Sequence, residues 1–364
     1  MKFQNKQKWQ IIRQYIIGWS LAFVFLSIVR GEGTEELGSV QFGLWESIFI
    51  SLIGGLIFGT ISGYSQIITE KRGYKKMPIQ SLLILRIIYV LLFLISIVSL
   101  SYLIFGNNIT YFEFAFEPGS FAIYLYIVVV DVFMFLFRQV NQFIGRNNLW
   151  KLFRGKFYTP REEGRIFMFI DLQSSTAHAE RLGHIKYSKM IQDCFYDLGI
   201  VIENEAEIYQ YAGDEVILTW RLEDGLNNQN CINAYFNFKN QIDRNREYYT
   251  QKYNCIPHFK AGLNAGIITV TEVGKYKKEI AYHGDTINTA ARIQGKCKEF
   301  DKELLISENL KNMLTTTDFN FDKLGNIQLK GKKGKVVIYS VSRADSSDQN
   351  KPTQSSQHVG RSGV

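Results

Sequence analysis

The feature that most constrains this chain is where its apolar residues fall. Four stretches, roughly 11–29, 47–68, 81–105 and 121–143, each offer about 20 mostly apolar residues, the length that crosses a bilayer as a helix. All four lie before residue 145, and the remainder alternates apolar and charged residues as a water-soluble domain does. The expected organisation is a four-span membrane domain over 1–145 followed by a globular half. The first stretch lacks a small-residue cleavage pattern and three more spans follow it, so it reads as retained and not as a signal peptide.

Orientation follows from the connections, because Lys and Arg accumulate on the cytoplasmic side. Lys2, Lys6, Lys8 and Arg13 precede or open the first span; Lys71, Arg72, Lys75 and Lys76 lie in the second connection; Arg146, Lys151, Arg154 and Lys156 follow the fourth span. The first connection holds Glu32, Glu35, Glu36 and Glu46, and the third Glu113 and Glu117. Both termini are therefore expected to be cytoplasmic, with the chain a multi-pass protein of the cell (inner) membrane. The net charge of +8 is then an orientation signal from basic tracts beside the lipid, with no nucleic-acid partner implied. Within the spans, Gly55, Gly59 and Gly63 recur every fourth residue and let two helix backbones approach closely, either across a homodimer or inside the bundle. Asp131 falls in the middle of the fourth span, where an ionisable group is costly; it is expected to face the bundle interior, towards Arg86. The four cysteines, Cys194, Cys231, Cys255 and Cys297, have no CxxC spacing and read as reduced thiols, not a zinc site.

Past the fourth span the apolar–basic pattern continues through Phe143, Leu149, Trp150, Leu152 and Phe153, which predicts a linking helix within 146–163, ended by Pro160. Residues 164–343 read as an α+β domain, with helices on a largely antiparallel sheet. Its expected strands are 165–171, 206–212, 215–220, 258–270, 276–283, 320–330 and 335–342, and its expected helices 176–203, 230–252 and 286–298. Residues 344–364 are Ser-rich and polar, and are expected to be a disordered tail.

Four places in that domain carry chemistry. Asp171 closes an apolar strand beginning at Arg165, and Ser174, Ser175 and Thr176 open the next helix; a strand-end carboxylate suits a hard cation, and a helix N-terminus suits phosphate. Asp and Ser are equally ordinary helix caps. Asp214 lies at the acidic tip of a hairpin, Tyr209–Leu218. If its strands neighbour that of Asp171, the two carboxylates converge into a pair suited to two metal ions. Asp285 can cap a helix on which Asn288 and Arg292 share one face, and Arg is well shaped to meet phosphoryl charge. Lys330 sits in the basic run Lys330–Gly334 between two late strands, either a solvated hairpin or a contact for a triphosphate.

The order and spacing of FIDLQSST, YAGDEVIL, GLNAGIITVTEVG, HGDTINTAARI and LKGKKGKVVIYSV over residues 165–342 resemble the class III adenylate and guanylate cyclase catalytic domain along its whole length. That resemblance implies a ferredoxin-like βαββαβ domain working as an antiparallel homodimer with its sites at the interface. It implies that Asp171, the backbone of Ile170, and Asp214 bind two Mg²⁺ or Mn²⁺ ions per site. It further implies that Asn288 orients the ribose, Arg292 stabilises the transition state and Lys330 holds the terminal phosphates. The implied reaction converts a nucleoside triphosphate to a 3′,5′-cyclic nucleotide and pyrophosphate. Adenine-selective members commonly carry Lys four residues before the second metal Asp and Asp or Thr seven before the Asn; here Gln210 and Ala281 stand there. Glu279 and Tyr282 are nearby candidates for compensation. ATP is favoured on family base rates, and GTP, CTP and UTP stay open. A diguanylate cyclase fits less well, because the hairpin lacks the GG of GGDEF. A silent cyclase-fold dimerisation module is the third reading.

Overall fold

The structure is a computed structural model, and it describes residues 3–33, 43–70, 77–106, 109–117, 119–145, 154–315, 318–329 and 334–344. The chain divides into two compact units, Met1–Asn147 and Asn148–Val364.

The first unit holds α1 (Phe3–Gly33), α2 (Leu44–Thr69), α3 (Ile79–Phe105), a short α4 (Tyr111–Ala115) and α5 (Ser120–Ile144). Four of them contain segments long and apolar enough to cross a membrane: Gln7–Val29, Trp45–Thr69, Ile79–Leu103 and Ser120–Phe143. The sequence reading lacked α4, whose start is fixed by Thr110 and Glu113 capping one another. The glycine stripe lies against α1: a Cβ at Gly55 would come 2.4 Å from the Cα of Ser20, at Gly59 2.4 Å from that of Ile16, and at Gly63 3.0 Å from that of Ile12. Of the two readings of the stripe, packing inside the bundle is the one observed. Asp131 meets Arg86 as expected. Arg86 Nε donates to Asp131 Oδ2 at 2.6 Å and Nη2 to Oδ1 at 2.8 Å, while Ser62 Oγ donates to Oδ1 at 2.6 Å. Arg86 Nη1 also donates to Ser65 Oγ at 3.1 Å. Ion pair and hydroxyls together leave neither buried charge unpartnered, the condition for carrying charge inside a bundle.

The second unit is a mixed sheet with helices on both faces. In chain order it runs β1 (Arg161–Leu172), α6 (Ser175–Leu182), α7 (His184–Asp197), a 3₁₀ turn (Leu198–Asn204), β2 (Glu207–Ala212), β3 (Glu215–Arg221), α8 (Leu222–Leu226), α9 (Asn230–Arg244) and α10 (Arg246–Tyr253). There follow β4 (Phe259–Val273), β5 (Glu279–His283), α11 (Asp285–Lys296), β6 (Leu304–Ser307), α12 (Glu308–Met313), β7 (Phe319–Ile327) and β8 (Val336–Arg343). The strand order is β2-β3-β1-β4-β6-β8-β7, with β5 on the far half of β4; every pairing is antiparallel except β4–β6. The first four strands and the helices between them make the ferredoxin-like βαββαβ core. Residues 165–170 of β1 are buried because the strand is covered on both faces. Ile166, Met168 and Ile170 pack with residues of α7, α9 and α10, while Phe167 and Phe169 pack with Phe157, Ile268, Val270 and Ala290. That double burial is what a continuous apolar run encodes.

Several expectations need correction. The linking helix is not seen where it can be checked: α5 ends at Ile144, followed by Gly145 at φ 92°, residues 146–153 lie outside the described residues, and 154–160 are turns and bends. A left-handed Gly is a common helix stop, and an amphipathic pattern that continues past it misleads. The helix expected over 176–203 breaks at Gly183 (φ 73°) and closes in the 3₁₀ turn. The one expected over 230–252 breaks at Asn245, and the strand expected at 276–283 starts only at Glu279. The sequence reading lacked β6 and α12. Ser307 caps α12, its hydroxyl accepting from the Leu310 amide at 3.2 Å.

Candidate active site

The site grows from the carboxyl end of β1. Asp171 stands opposite Glu215 across the β1–β3 pairing, and Asp214 sits in the two-residue β2–β3 turn beside Gly213, whose φ of 65° suits the tight reversal. Three carboxylates are thereby gathered at one end of the sheet. Asp171 and Glu215 feel that crowding in their protonation. Burial, and then the neighbouring Asp214, raise the Asp171 carboxyl above its usual range, although the Gln294 side chain from α11 hydrogen-bonds it and opposes the rise. Burial, followed by Asp171 and Asp214, pushes Glu215 up to about 7. Tyr187 of α7 hydrogen-bonds the Ser175 side chain and feels both Asp214 and Asp171, with its hydroxyl raised mainly by burial.

The donor set is all hard oxygen, and the repulsion within it is what a divalent cation would relieve. Among the described residues no group of three or more His, Cys, Asp or Glu side chains is arranged to hold a metal ion unaided. Magnesium needs no such group, since it takes one or two carboxylates and completes its shell with waters and substrate phosphates. The carboxylates of Asp171 and Asp214 therefore fit a hard divalent cation.

Ser174, Ser175 and Thr176 follow immediately. Ser174 is left-handed at φ 58° and α6 begins at Ser175, so this turn opens a helix N-terminus beside the carboxylates. Asn288 and Arg292 lie on α11, the helix whose Gln294 bonds Asp171. Asn288 is exposed, and among the described residues Arg292 is ion-paired only with Asp285, at 4.0 Å. α11 lies close on β4: a Cβ at Gly262 would come 2.2 Å from the Gln294 amide nitrogen, and one at Gly266 2.5 Å from Thr286 Oγ1. Gln210, on edge strand β2, is exposed. On β5, Ile280 and Tyr282 pack inwards, so by strand alternation Ala281 and Glu279 point to the opposite face. Tyr282 is therefore a wall of the interior. Lys330 lies outside the described residues.

A family profile described as "Adenylate and Guanylate cyclase catalytic domain" matches residues 158–343, more than half of the chain. The chain belongs to that cyclase family. Adenylate cyclase 2 of Rhizobium meliloti (strain 1021) is 31% identical over 205 residues, 56% of this chain and 56% of that protein. The adenylate cyclase of Anabaena cylindrica is 24% identical over 184 residues, 48% of this chain and 36% of that protein. A bacterial light-regulated adenylyl cyclase of known structure aligns with TM-score 0.53 at 17% identity, covering 62% of this chain and 66% of that one, a likeness of fold alone. The chain spans 27% to 56% of the length of the curated relatives it matches.

Within this cyclase domain two residues of the cluster were not singled out from sequence. Glu215 adjoins Asp214 in the motif, and the β1–β3 register was the signal that would have placed it beside Asp171. Gln294 carries no such signal, because only the crossing of α11 over Gly262 brings it to the carboxylates.

Proposed function

We propose that the chain is a membrane-bound nucleotide cyclase. It converts a nucleoside triphosphate, with ATP favoured, to the 3′,5′-cyclic nucleotide and pyrophosphate, and it does so as a homodimer with the cyclase domain in the cytoplasm. The observation that carries the reading is the convergence of Asp171, Asp214 and Glu215 beside the Ser174–Thr176 turn, within a domain of the cyclase family.

In this reading the ribose 3′-hydroxyl attacks the α-phosphate and pyrophosphate leaves. Asp171, the Ile170 backbone and Asp214 would hold two Mg²⁺ or Mn²⁺ ions, which would supply charge neutralisation to the phosphates. The amides of the Ser174–Thr176 turn cradle phosphate oxygens, and Lys330 meets the terminal phosphates. Asn288 orients the ribose, and Arg292 meets charge developing in the transition state. Arg292 is only loosely engaged by Asp285, among the described residues no ion pair joins it to Asp171, Asp214 or Glu215, and Asn288 is exposed. An exposed Asn and a loosely held Arg support a site completed by a second copy, with the carboxylates from one protomer and the Asn–Arg pair from its partner. ATP is favoured by the adenylate cyclase relatives; Gln210 and Ala281 supply neither the Lys nor the Asp or Thr of the adenine pattern.

The test is the full chain in nanodiscs with Mn²⁺ and each of ATP, GTP, CTP and UTP. We expect a 3′,5′-cyclic mononucleotide from at least one, ATP foremost. Product only from another nucleotide would replace the base assignment, and no product from any, with dimers present, would sink the enzymatic reading in favour of a silent cyclase fold.

A further inference from the structure

Arg165 is fully buried in β1, six residues before Asp171. Its Nε and Nη2 donate to Glu163 Oε2 at 3.2 and 3.0 Å, and its Nη1 donates to Glu207 Oε2 on β2 at 3.0 Å. The guanidinium carbon lies 5.1 Å over the ring of Tyr282 on β5. In the sheet β3 separates β1 from β2, and β4 separates it from β5. One side chain therefore reaches past a neighbouring strand on each side. The two outer strands also touch each other above it: the rings of Tyr209 and Tyr282 meet at 4.8 Å, and the Tyr209 hydroxyl bonds the Tyr282 backbone. Tyr209 is the extra residue of the bulge that shifts the β2–β3 register between Ile208 and Gln210.

An arginine here demands explanation. The adjoining inward residues on this face, Phe167 and Phe169, are apolar, and an apolar side chain would fill such a space without the desolvation cost of a buried charge. What arginine adds is a planar fork of fixed geometry, bonded to carboxylates on two strands and stacked against a ring from a third. The residue after Tyr209 is Gln210, and the residue before Tyr282 is Ala281, the two positions at which the chain departs from the adenine-selective pattern.

We propose that Arg165 is a positioning residue for base selection, a brace that fixes the separation of β2 and β5 and so the placement of Gln210 and Ala281 against the nucleotide base. The inference rests on the cyclase reading and deepens it. The brace sits six residues along β1 from Asp171, so disturbing it changes which base is accepted before it changes the metal site.

The experiment compares the full chain in nanodiscs with Arg165→Lys, which keeps the charge and loses the fork, Glu207→Gln, and Tyr282→Phe, which keeps the ring. For each, kcat and KM are measured with ATP and GTP, and binding of the same nucleotides is measured by calorimetry with Ca²⁺ in place of the activating cation. Arg165→Lys should lower the ratio of kcat/KM between the preferred and the other nucleotide by about tenfold, the scale of a displaced polar contact in a specificity site. It should raise KM for the preferred nucleotide and leave half-activation by Mn²⁺ in place. Glu207→Gln should do the same to a lesser extent, and Tyr282→Phe should keep the wild-type ratio. Equal loss of kcat on both nucleotides with an unchanged ratio would overturn the brace and leave Arg165 a support of the fold. If Arg165→Lys fails to fold, Glu207→Gln carries the same two outcomes. If wild type forms no cyclic product, the cyclase reading falls, while the binding ratio still decides for or against the brace.

Discussion

Gly262→Ala is a small change with a large expected effect. The new Cβ would lie 2.2 Å from the Gln294 amide nitrogen, 2.5 Å from its Cα and 2.8 Å from its Cβ. Two of those atoms are backbone, so no rotamer relieves the clash, and α11 must move off β4 by roughly 1 Å to restore ordinary contact. α11 bears Asn288 and Arg292, and Gln294 itself bonds Asp171. A displacement of that size in catalytic groups costs about 10²-fold in rate, while the overpacking costs about 1–3 kcal/mol in stability. Stopped-time assays of cyclic nucleotide formation by the full chain in nanodiscs, with melting temperature measured in parallel, separate the two effects. We expect a folded protein with kcat about 10²-fold below wild type. Gly199→Ala and Gly295→Ala are the controls, since a Cβ at either meets nothing within 4 Å, and they should keep wild-type rates. Full activity in Gly262→Ala would refute the claim that the seating of α11 on β4 sets the catalytic geometry.

Two further outcomes follow from charges. Asp131→Ala leaves Arg86 buried with its serine and tyrosine-ring contacts and no counter-charge, so the membrane unit should lose about 3–5 kcal/mol, whereas the double variant Arg86→Leu/Asp131→Leu should recover most of it; chemical unfolding in nanodiscs reads both, and singles as stable as wild type would contradict the pairing. Glu215, with its pKa raised to about 7, favours the folded, metal-free protein below its unfolded value of 4.5. That contribution is lost as pH rises through 7, because the folded state binds more protons than the unfolded between those values. The metal-free protein should therefore lose stability between pH 5 and 8 more steeply than Glu215→Gln. Mn²⁺ should flatten the wild-type profile, and a wild-type slope equal to that of Glu215→Gln would contradict the crowding of the three carboxylates.

Legibility from sequence was uneven, for physical reasons. The four spans stood out because lipid demands unbroken apolar runs, and β1 because burial on both faces leaves no polar alternation to confuse it. Asp171 and Asp214 were readable as a pair once their strands were assumed adjacent, since turn and register are local. The Gly55–Gly63 stripe was readable as a close contact but not as to its partner, because Ser20, Ile16 and Ile12 carry no complementary signature. Chain breaks at Gly145, Gly183 and Asn245 were missed where an amphipathic pattern ran across them. β6 is four residues long, too short to register in a periodicity. The distant partners of Arg165, Glu207 and Tyr282, are 42 and 117 residues away in sequence, and only the tertiary fold unites them.

The composite site is the centre of this account, and mixing two inactive chains tests it most directly. Asp171→Ala and Arg292→Ala should each abolish cyclic nucleotide formation. Co-assembled in equal amounts, half of the dimers are mixed and each mixed dimer keeps one intact site of two, so about a quarter of wild-type activity should return. Mixed dimers verified by tandem purification on two different tags, yet inactive with every nucleotide that wild type accepts, would contradict a site shared between protomers.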